Sequence, residues 1–134
     1  MAQHINPIIK RLGINKNWSS RWFDLDNFPW KLAEDEVIRK TLEPLLAKAH
    51  YQSIELERKG DRINVTIFTA KPGMIIKHKG EGLDDAKKTI EKAILKFRKT
   101  ERISDKFSIS INIEEVRKPY LSAQIVGFDL KDDI

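Results

Sequence analysis

The stretch "AKPGMIIKHKGEGLDDAKKTI", residues 70–90, contains the pattern that decides the fold of this chain. Its Pro72-Gly73 turn signal leads into the short apolar run Met74-Ile75-Ile76, which predicts a stub of helix. A basic turn that carries glycines follows, and the chain then reads as a long amphipathic helix. Glycine permits backbone conformations that other residues rarely adopt, and the lysines beside it supply positive charge. The stretch therefore predicts two helices joined by a cationic loop.

The second of these helices is predicted over residues 82–100. Its apolar positions recur at helical spacing and form one buried stripe, consisting of Leu83, Ala86, Ile90, Ile94 and Phe97. Its basic residues are expected on the solvent side, namely Lys87, Lys88, Lys92, Lys96, Arg98 and Lys99. Asp84 and Asp85 occupy the first turn, where carboxylates suit the helix dipole.

The segments around this helix pair alternate between strand and helix patterns. The pattern predicts a helix over about 31–49 that Pro44 kinks or splits, a β-hairpin of strands 53–57 and 62–68, a third strand over 107–114, and a short helix after Pro119. This order is typical of an α+β domain. We expect a three-stranded sheet with helices packed on one face.

Residues 1–30 carry no sustained periodicity but hold five large aromatic side chains. Large rings are costly to leave in water, so this irregular N-terminal extension should pack against its own domain or a partner. Phe23, Phe28 and Trp30 are expected to be packing anchors, whereas Trp18 and Trp22, flanked by Lys16 and Arg21, suit stacking on bases.

The composition indicates a polyanionic partner. The 134 residues carry a net charge of +5, with a pI near 9.4. Residues 71–102 hold ten Lys or Arg against five Asp or Glu, and residues 1–31 hold five against two. Such local concentration of positive charge is typical of a nucleic-acid interface. Without cysteine the chain has no disulfide and no thiolate chemistry, which favours an intracellular setting, and no segment reads as a membrane span or signal peptide.

The order of elements, with a glycine turn between two helices, resembles the type II KH domain, in which a GxxG loop approaches a nucleic-acid strand. Three stretches extend the resemblance to the bacterial-type family of the third small-subunit ribosomal protein, the universal uS3 family. They are "INPIIKRLGINKNWSSRWF" (5–23), "DRINVTIFTAKPGMIIKHKGEGLDDAKK" (61–88) and "ISINIEEVRKPYLSAQIV" (109–126). The resemblance runs from near Met1 to about residue 127.

The resemblance implies a structural ribosomal protein that is not an enzyme and has no cofactor. It implies an rRNA-binding extension over 1–30, a type II KH domain over 31–128 and a short acidic tail over 129–134. The implied partners are small-subunit ribosomal RNA and neighbouring proteins of the subunit head, near the side where messenger RNA enters, with messenger RNA itself a further candidate.

The predicted RNA contacts fall into two groups. By position in the family, the extension would contribute His4, Asn6, Pro7, Lys10, Arg11, Lys16, Arg21 and Trp22, and the KH loop would be Lys77, His78, Lys79 and Gly80. The basic residues nearest the loop, Lys71, Lys87 and Lys88, complete the set because lysines there suit phosphate contact. No metal site is predicted, since the three histidines (His4, His50 and His78) lack ligand spacing and His50 is expected to be a helix cap or a surface residue.

Two features depart from the family pattern. The KH loop of the family opens with glycine, and here that position is Lys77, so either a charge replaces close backbone approach or the loop no longer grips single strands. The family also has a further domain after this one, whereas this sequence stops at Ile134. We expect that domain to be lost or supplied by a second polypeptide, which slightly favours a mitochondrial ribosome over a bacterial one.

Three other functions compete with this interpretation. A free-standing KH protein would bind single-stranded RNA as a chaperone or assembly factor. A nuclease would use Asp84 or Glu115, although neighbouring carboxylates on a helix or a strand do not face each other. A protein-docking module would have a loop that no longer contacts RNA, as Lys77 allows.

Overall fold

The architecture comes from a computed structural model that describes residues 6–14, 17–77, 80–104 and 106–133. Helices and strands alternate along the chain as an α+β domain. In chain order they are α1 (Pro7–Arg11), β1 (Ser20–Arg21), α2 (Phe28–Leu46), β2 (Tyr51–Lys59), β3 (Arg62–Thr69), α3 (Pro72–Ile76), α4 (Glu81–Glu101), β4 (Ser108–Glu115) and α5 (Ala123–Asp133), with 3-10 turns at Ala47–Ala49 and Pro119–Leu121.

The described strands form one sheet in the order β1-β2-β3-β4. β2 and β3 are the predicted antiparallel hairpin, while β4 runs parallel to β3 from Arg62↔Ser108 to Thr69↔Glu115. The expectation of three strands is corrected to four, because the extension adds β1 parallel to β2. A two-residue strand is too short to show alternation, so periodicity gave no signal for it.

The core lies between this sheet and the helices on one of its faces. It is built from the inward positions of β2, β3 and β4 and from the apolar stripes of α2 and α4. The two helices lie on the same face of the sheet and contact each other. Its buried residues include Ile38, Leu42, Leu46, Ile54, Leu56, Ile63, Val65, Ile67, Ile90, Ile94 and Ile109. The strand residues alternate with polar neighbours as predicted, which confirms the hairpin and the third strand.

The described part of the extension contains regular elements that its sequence pattern did not predict. It contains α1 and β1, and the Leu56 amide donates a hydrogen bond of 2.9 Å to the Ser19 carbonyl oxygen. Trp30 lies within α2, which begins earlier than predicted and continues past Pro44 before it tightens into the 3-10 turn. Backbone pairing and side-chain anchors therefore join this segment to the domain.

The acidic residues near the C-terminus lie in a helix. α5 runs through residues 129–133, and its buried Ile125 packs it against the domain. The division of the chain at residues 30 and 128 stays a prediction. None of the described helices is long and apolar enough to cross a membrane.

Candidate nucleic-acid interface

The cationic loop joins α3 to α4, as predicted. Lys77 ends α3 at φ 54° and ψ −160°, and Gly80 precedes α4 in the left-handed region at φ 76°. The Lys77 side chain is exposed. The first position of the loop thus keeps a backbone conformation that glycine adopts readily, although a lysine occupies it.

Gly82 fixes the distance between the two helices that carry the loop. A Cβ atom built on Gly82 would lie 1.9 Å from the Ile75 carbonyl oxygen and 3.2 Å from Cγ of Lys77. The absence of a side chain therefore lets the end of α3 approach the first turn of α4. This close approach holds both ends of the loop, and the stem of Lys77 lies against Gly82.

The other cations predicted near the loop are exposed. Lys71 lies just before α3, and Lys87 and Lys88 lie in the first half of α4. Exposed ammonium groups on flexible stems are suitable partners for phosphate oxygens. The structure thus keeps Lys71, Lys77, Lys87 and Lys88 available to a ligand.

The extension presents its own cations on a short helix. Lys10 and Arg11 form the last turn of α1, and both are exposed. Asn6 and Pro7 at the start of this helix are exposed as well. These four predicted contacts are therefore accessible on one short segment.

Two other predicted contacts in the extension are held by the protein itself. Arg21 lies 3.2 Å from the Glu55 carboxylate and 3.9 Å from that of Glu57, so neighbouring charges offset its own. Trp22 donates from its indole Nε1 to Oδ2 of Asp35 at 2.6 Å, and its ring lies 5.3 Å from that of Phe28. The structure gives Arg21 and Trp22 a role in joining the extension to the sheet and α2.

Not all of the aromatic residues expected to anchor the extension are buried. Trp30 is partly buried, but Phe23 is 84% exposed and Phe28 51% exposed. Trp18 is 64% exposed beside a cavity of about 560 Å³, which suits the stacking role expected of it. Of the remaining predicted contacts, Gly80 is half-buried, and His4, Lys16, His78 and Lys79 lie outside the described residues.

The sequence interpretation missed a buried cluster of charges that joins several elements of the domain. Arg58 donates to Asp35 Oδ1 from Nε at 2.9 Å and from Nη2 at 2.6 Å, and to Glu34 Oε2 at 3.1 Å. Arg98 donates to Glu34 Oε1 from Nε at 3.0 Å. Its Nη1 also reaches the carbonyl oxygens of Ser104 and Lys106 at 2.7 and 3.2 Å. The cluster links α2, β2, α4 and the segment before β4.

Arg98 was expected on the solvent face of α4, and that expectation was wrong. Only 5% of it is exposed, and its guanidinium lies 4.8 Å from the centre of the Phe107 ring. Helical spacing held the signal, since Arg98 is four residues beyond Ile94 and Glu34 is four residues before Ile38. Both charged residues thus extend the apolar stripes of their helices.

Asp24 marks another junction between the extension and α2. Its carboxylate accepts a hydrogen bond of 2.6 Å from Nζ of Lys31 and others from Asn27. The Lys31 contact, and after it the Asn27 contacts, hold the pKa of the Asp24 carboxyl well below its usual range. This carboxylate therefore stays charged at neutral pH and caps the turn that leads into α2.

His50 was expected at a helix cap or on the surface. It does cap the 3-10 turn after α2, but it is buried, with 2% of its surface exposed. Its Nε2 lies 2.7 Å from Oδ2 of Asp132, within hydrogen-bond geometry, and its ring stacks on Phe128 at 5.7 Å. His50 is therefore a cap but not a surface residue, because α5 covers its ring.

The carboxylates considered for catalysis lie on different elements, with Asp84 in the first turn of α4 and Glu115 at the end of β4. Within the described ranges, no group of three or more His, Asp or Glu side chains could hold a metal ion.

Comparison with known proteins adds a family match. A KH domain model matches residues 37–121, which span the region from α2 to the turn before α5. The loop between α3 and α4 lies within this match.

Sequence alignments with similar proteins extend beyond residues 37–121. The chain is 40% identical over 128 residues to the small ribosomal subunit protein uS3 of Wolinella succinogenes, covering 95% of this chain and 50% of that protein. It is 41% identical over 127 residues to the uS3 protein of Thermodesulfovibrio yellowstonii, covering 95% and 54%. The chain thus spans about half the length of these curated relatives.

Proposed function

Because the chain belongs to the KH domain family and, within it, to the uS3 proteins, we propose that it is a structural component of a small ribosomal subunit that binds ribosomal RNA. The observation that carries this proposal is the extent of the likeness. It covers 95% of the chain, whereas the KH match covers residues 37–121 alone, so it includes the cationic extension.

The proposed mechanism is electrostatic and geometric. Exposed cations of α1, of the loop and of the first half of α4 neutralise phosphates and release counterions, which favours binding. A folded body holds these charges in one arrangement, so the protein recognises the shape of irregular RNA more than a base sequence. No step in this mechanism breaks a covalent bond, so the proposed function is not enzymatic.

The finer parts of the proposal follow from the family resemblance. The protein would lie in the subunit head near the side where messenger RNA enters, beside neighbouring head proteins. The proposed RNA contacts are His4, Asn6, Pro7, Lys10, Arg11, Lys16, Arg21, Trp22, Lys71, Lys77, His78, Lys79, Gly80, Lys87 and Lys88. The relatives named above are bacterial, so they give no support to the mitochondrial preference, and the second polypeptide stays a prediction.

Sedimentation of ribosomes from the source organism tests the proposal. We expect the protein to migrate with the small subunit in stoichiometric amount and to stay bound in moderate salt. If it migrates free of ribosomal particles, the free-standing KH protein becomes the better interpretation and the proposal fails.

Charge variants test which cations dominate. Lys10→Glu with Arg11→Glu should weaken binding to small-subunit ribosomal RNA by roughly tenfold or more, since each reversal removes one phosphate contact and adds repulsion. Lys77→Gly should change it by less than about threefold. Filter binding across a salt series measures both. Loss of binding in Lys77→Gly with no effect of the double reversal would contradict this distribution of contacts.

A further inference from the structure

A cationic pocket lies beside α5, away from the predicted RNA contacts of the extension. Its cavity is about 370 Å³, within the range of roughly 300–1,000 Å³ that is usual for ligand sites. Three lysines from separate segments line it, namely Lys48, Lys71 and Lys131, together with the apolar surfaces of Met74 and Phe128. We call these residues the α5 pocket.

Side-chain packing holds α5 against the domain. The helix carries Phe128 and Lys131, which line the pocket. Phe128 stacks on the His50 ring at 5.7 Å with planes 12° apart, and its ring also lies 5.5 Å from that of Tyr51. Ile125 is 1% exposed. Lys131 is thus carried by a docked helix, so its position relative to Lys48 and Lys71 is set by the tertiary structure.

The charges around the α5 pocket are unbalanced toward the positive. Three lysines line one cavity, where like charges are unfavourable, and the acidic residue that lines it with them is Asp132. Oδ2 of Asp132 is already engaged by Nε2 of His50 at 2.7 Å. Asp129, one turn earlier, lies 2.7 Å from the other ring nitrogen of the same histidine. Both acids thus face the histidine, and an external anion would relieve the lysine repulsion.

The chemistry of the lining indicates the class of anion. Lysines bind phosphate groups as point charges, and exposed aromatic and thioether surface accepts the flat face of a base. Met74 is 53% exposed and Phe128 is partly exposed, so both are accessible from the cavity. A phosphate joined to a base or a ribose would satisfy both parts of the pocket.

We propose that the α5 pocket binds one nucleotide of RNA, with its phosphate between Lys48, Lys71 and Lys131 and its base or ribose against Met74 and Phe128. This inference rests on the proposed function and adds to it a contact outside the KH loop. Lys48 and Lys131 become RNA contacts that the sequence pattern did not identify.

A double variant measures the contribution of the pocket. Lys48→Gln with Lys131→Gln, which leaves Lys71 in place, should weaken binding to small-subunit ribosomal RNA by roughly tenfold and lower the salt slope of log K by about 1. The matched control replaces two exposed lysines elsewhere, Lys40 and Lys59, with glutamine and should change binding by less than about twofold. Circular dichroism melting checks that both variants fold. Equal binding by the two double variants overturns the proposal.

A site-directed probe then locates the RNA. The chain lacks cysteine, so Gln124→Cys places a single thiol on α5, seven residues from Lys131 on the same helical face, and leaves all three lysines in place. An iron chelate tethered there should cleave ribosomal RNA at discrete positions through hydroxyl radicals. Lys10→Cys carries the same probe on the extension.

The two probes separate failure of this inference from failure of the proposed function. Cleavage from residue 10 with none from residue 124 overturns the pocket proposal and leaves the proposed function standing, as does protein cross-linking at residue 124 without RNA cleavage. No cleavage from either probe in a purified subunit contradicts both. Cleavage from both supports the RNA contact at α5.

Discussion

At the scale of a single residue, Lys77 has an unusual backbone conformation at the start of the cationic loop. Its φ of 54° and ψ of −160° lie at the border of a region that is essentially restricted to glycine. Holding a residue that has a Cβ atom in this conformation destabilises the fold by about 1–3 kcal/mol. Such backbone strain is often found at functional positions. The conformation is that of a glycine, so the lysine supplies a charge while the backbone stays strained.

Lys77→Gly should therefore raise the free energy of unfolding by about 1 kcal/mol. Glycine increases the conformational entropy of the unfolded chain, which destabilises the fold by roughly 0.5–1 kcal/mol. We expect the free energy gained by relieving the backbone strain to be larger than this cost. Urea denaturation measures the change.

Lys77→Ala is the matched control, because alanine retains the Cβ atom and hence the strain, so its stability should stay within about 0.5 kcal/mol of the original. If Lys77→Gly were destabilising, the strain assigned to this position would be wrong.

At the scale of elements, α3 and α4 form one unit because Gly82 allows their close approach. The Ile75 carbonyl oxygen at the end of α3 occupies the space that a side chain on Gly82 would need. Five residues alone do not make a stable helix in water, so α3 depends on this packing. The positions of Lys77 and Gly80, the described ends of the loop, depend on the contact between the two helices.

Gly82→Ala should lower the free energy of unfolding by about 2 kcal/mol or more, because a Cβ atom 1.9 Å from backbone oxygen forces the helices apart. Gly73→Ala is the matched control in α3, where a Cβ atom meets nothing within 4 Å, and it should be neutral or stabilising by up to about 1 kcal/mol. Thermal denaturation compares the two. Equal stability of both variants would show that α3 can move at little cost.

At the scale of the whole molecule, the buried charges around Glu34 connect segments that are distant in sequence. Glu34 is fully buried and binds both Arg58 and Arg98, while Asp35 binds Arg58 and Trp22. The extension, two helices and the sheet thus share one network. Buried ions require paired partners, since an unpaired charge in the interior is strongly unfavourable.

Arg98→Leu should destabilise the domain by about 3 kcal/mol, because it removes one of the two cations that Glu34 contacts in the described structure. Lys99→Leu, on the adjacent exposed position of α4, should change stability by less than about 0.5 kcal/mol. Guanidinium denaturation, followed by tryptophan fluorescence, measures both. A stable Arg98→Leu variant would mean that Arg58 alone balances Glu34.

The local sequence pattern was sufficient to predict a helix or strand wherever its buried residues recur at a regular spacing. The alternation of Ile63, Val65 and Ile67 predicted β3, and the spacing of Ile90 and Ile94 predicted the buried face of α4. The pattern failed for β1, whose two residues are positioned by backbone pairing with β2. It also failed for Arg98, because a charge on an apolar stripe is recognisable as buried only when its partner is known.

The amino-acid sequence by itself determined the α+β order, the cationic loop, the concentration of positive charge and the family, since all of these depend on local composition and spacing. The tertiary structure alone decided which charges are accessible. It buried Arg58 and Arg98 against Glu34 and Asp35, and it brought Lys48, Lys71 and Lys131 to one cavity. Contacts between residues far apart in sequence depend on how helices and sheet pack, and local periodicity carries no information about that packing.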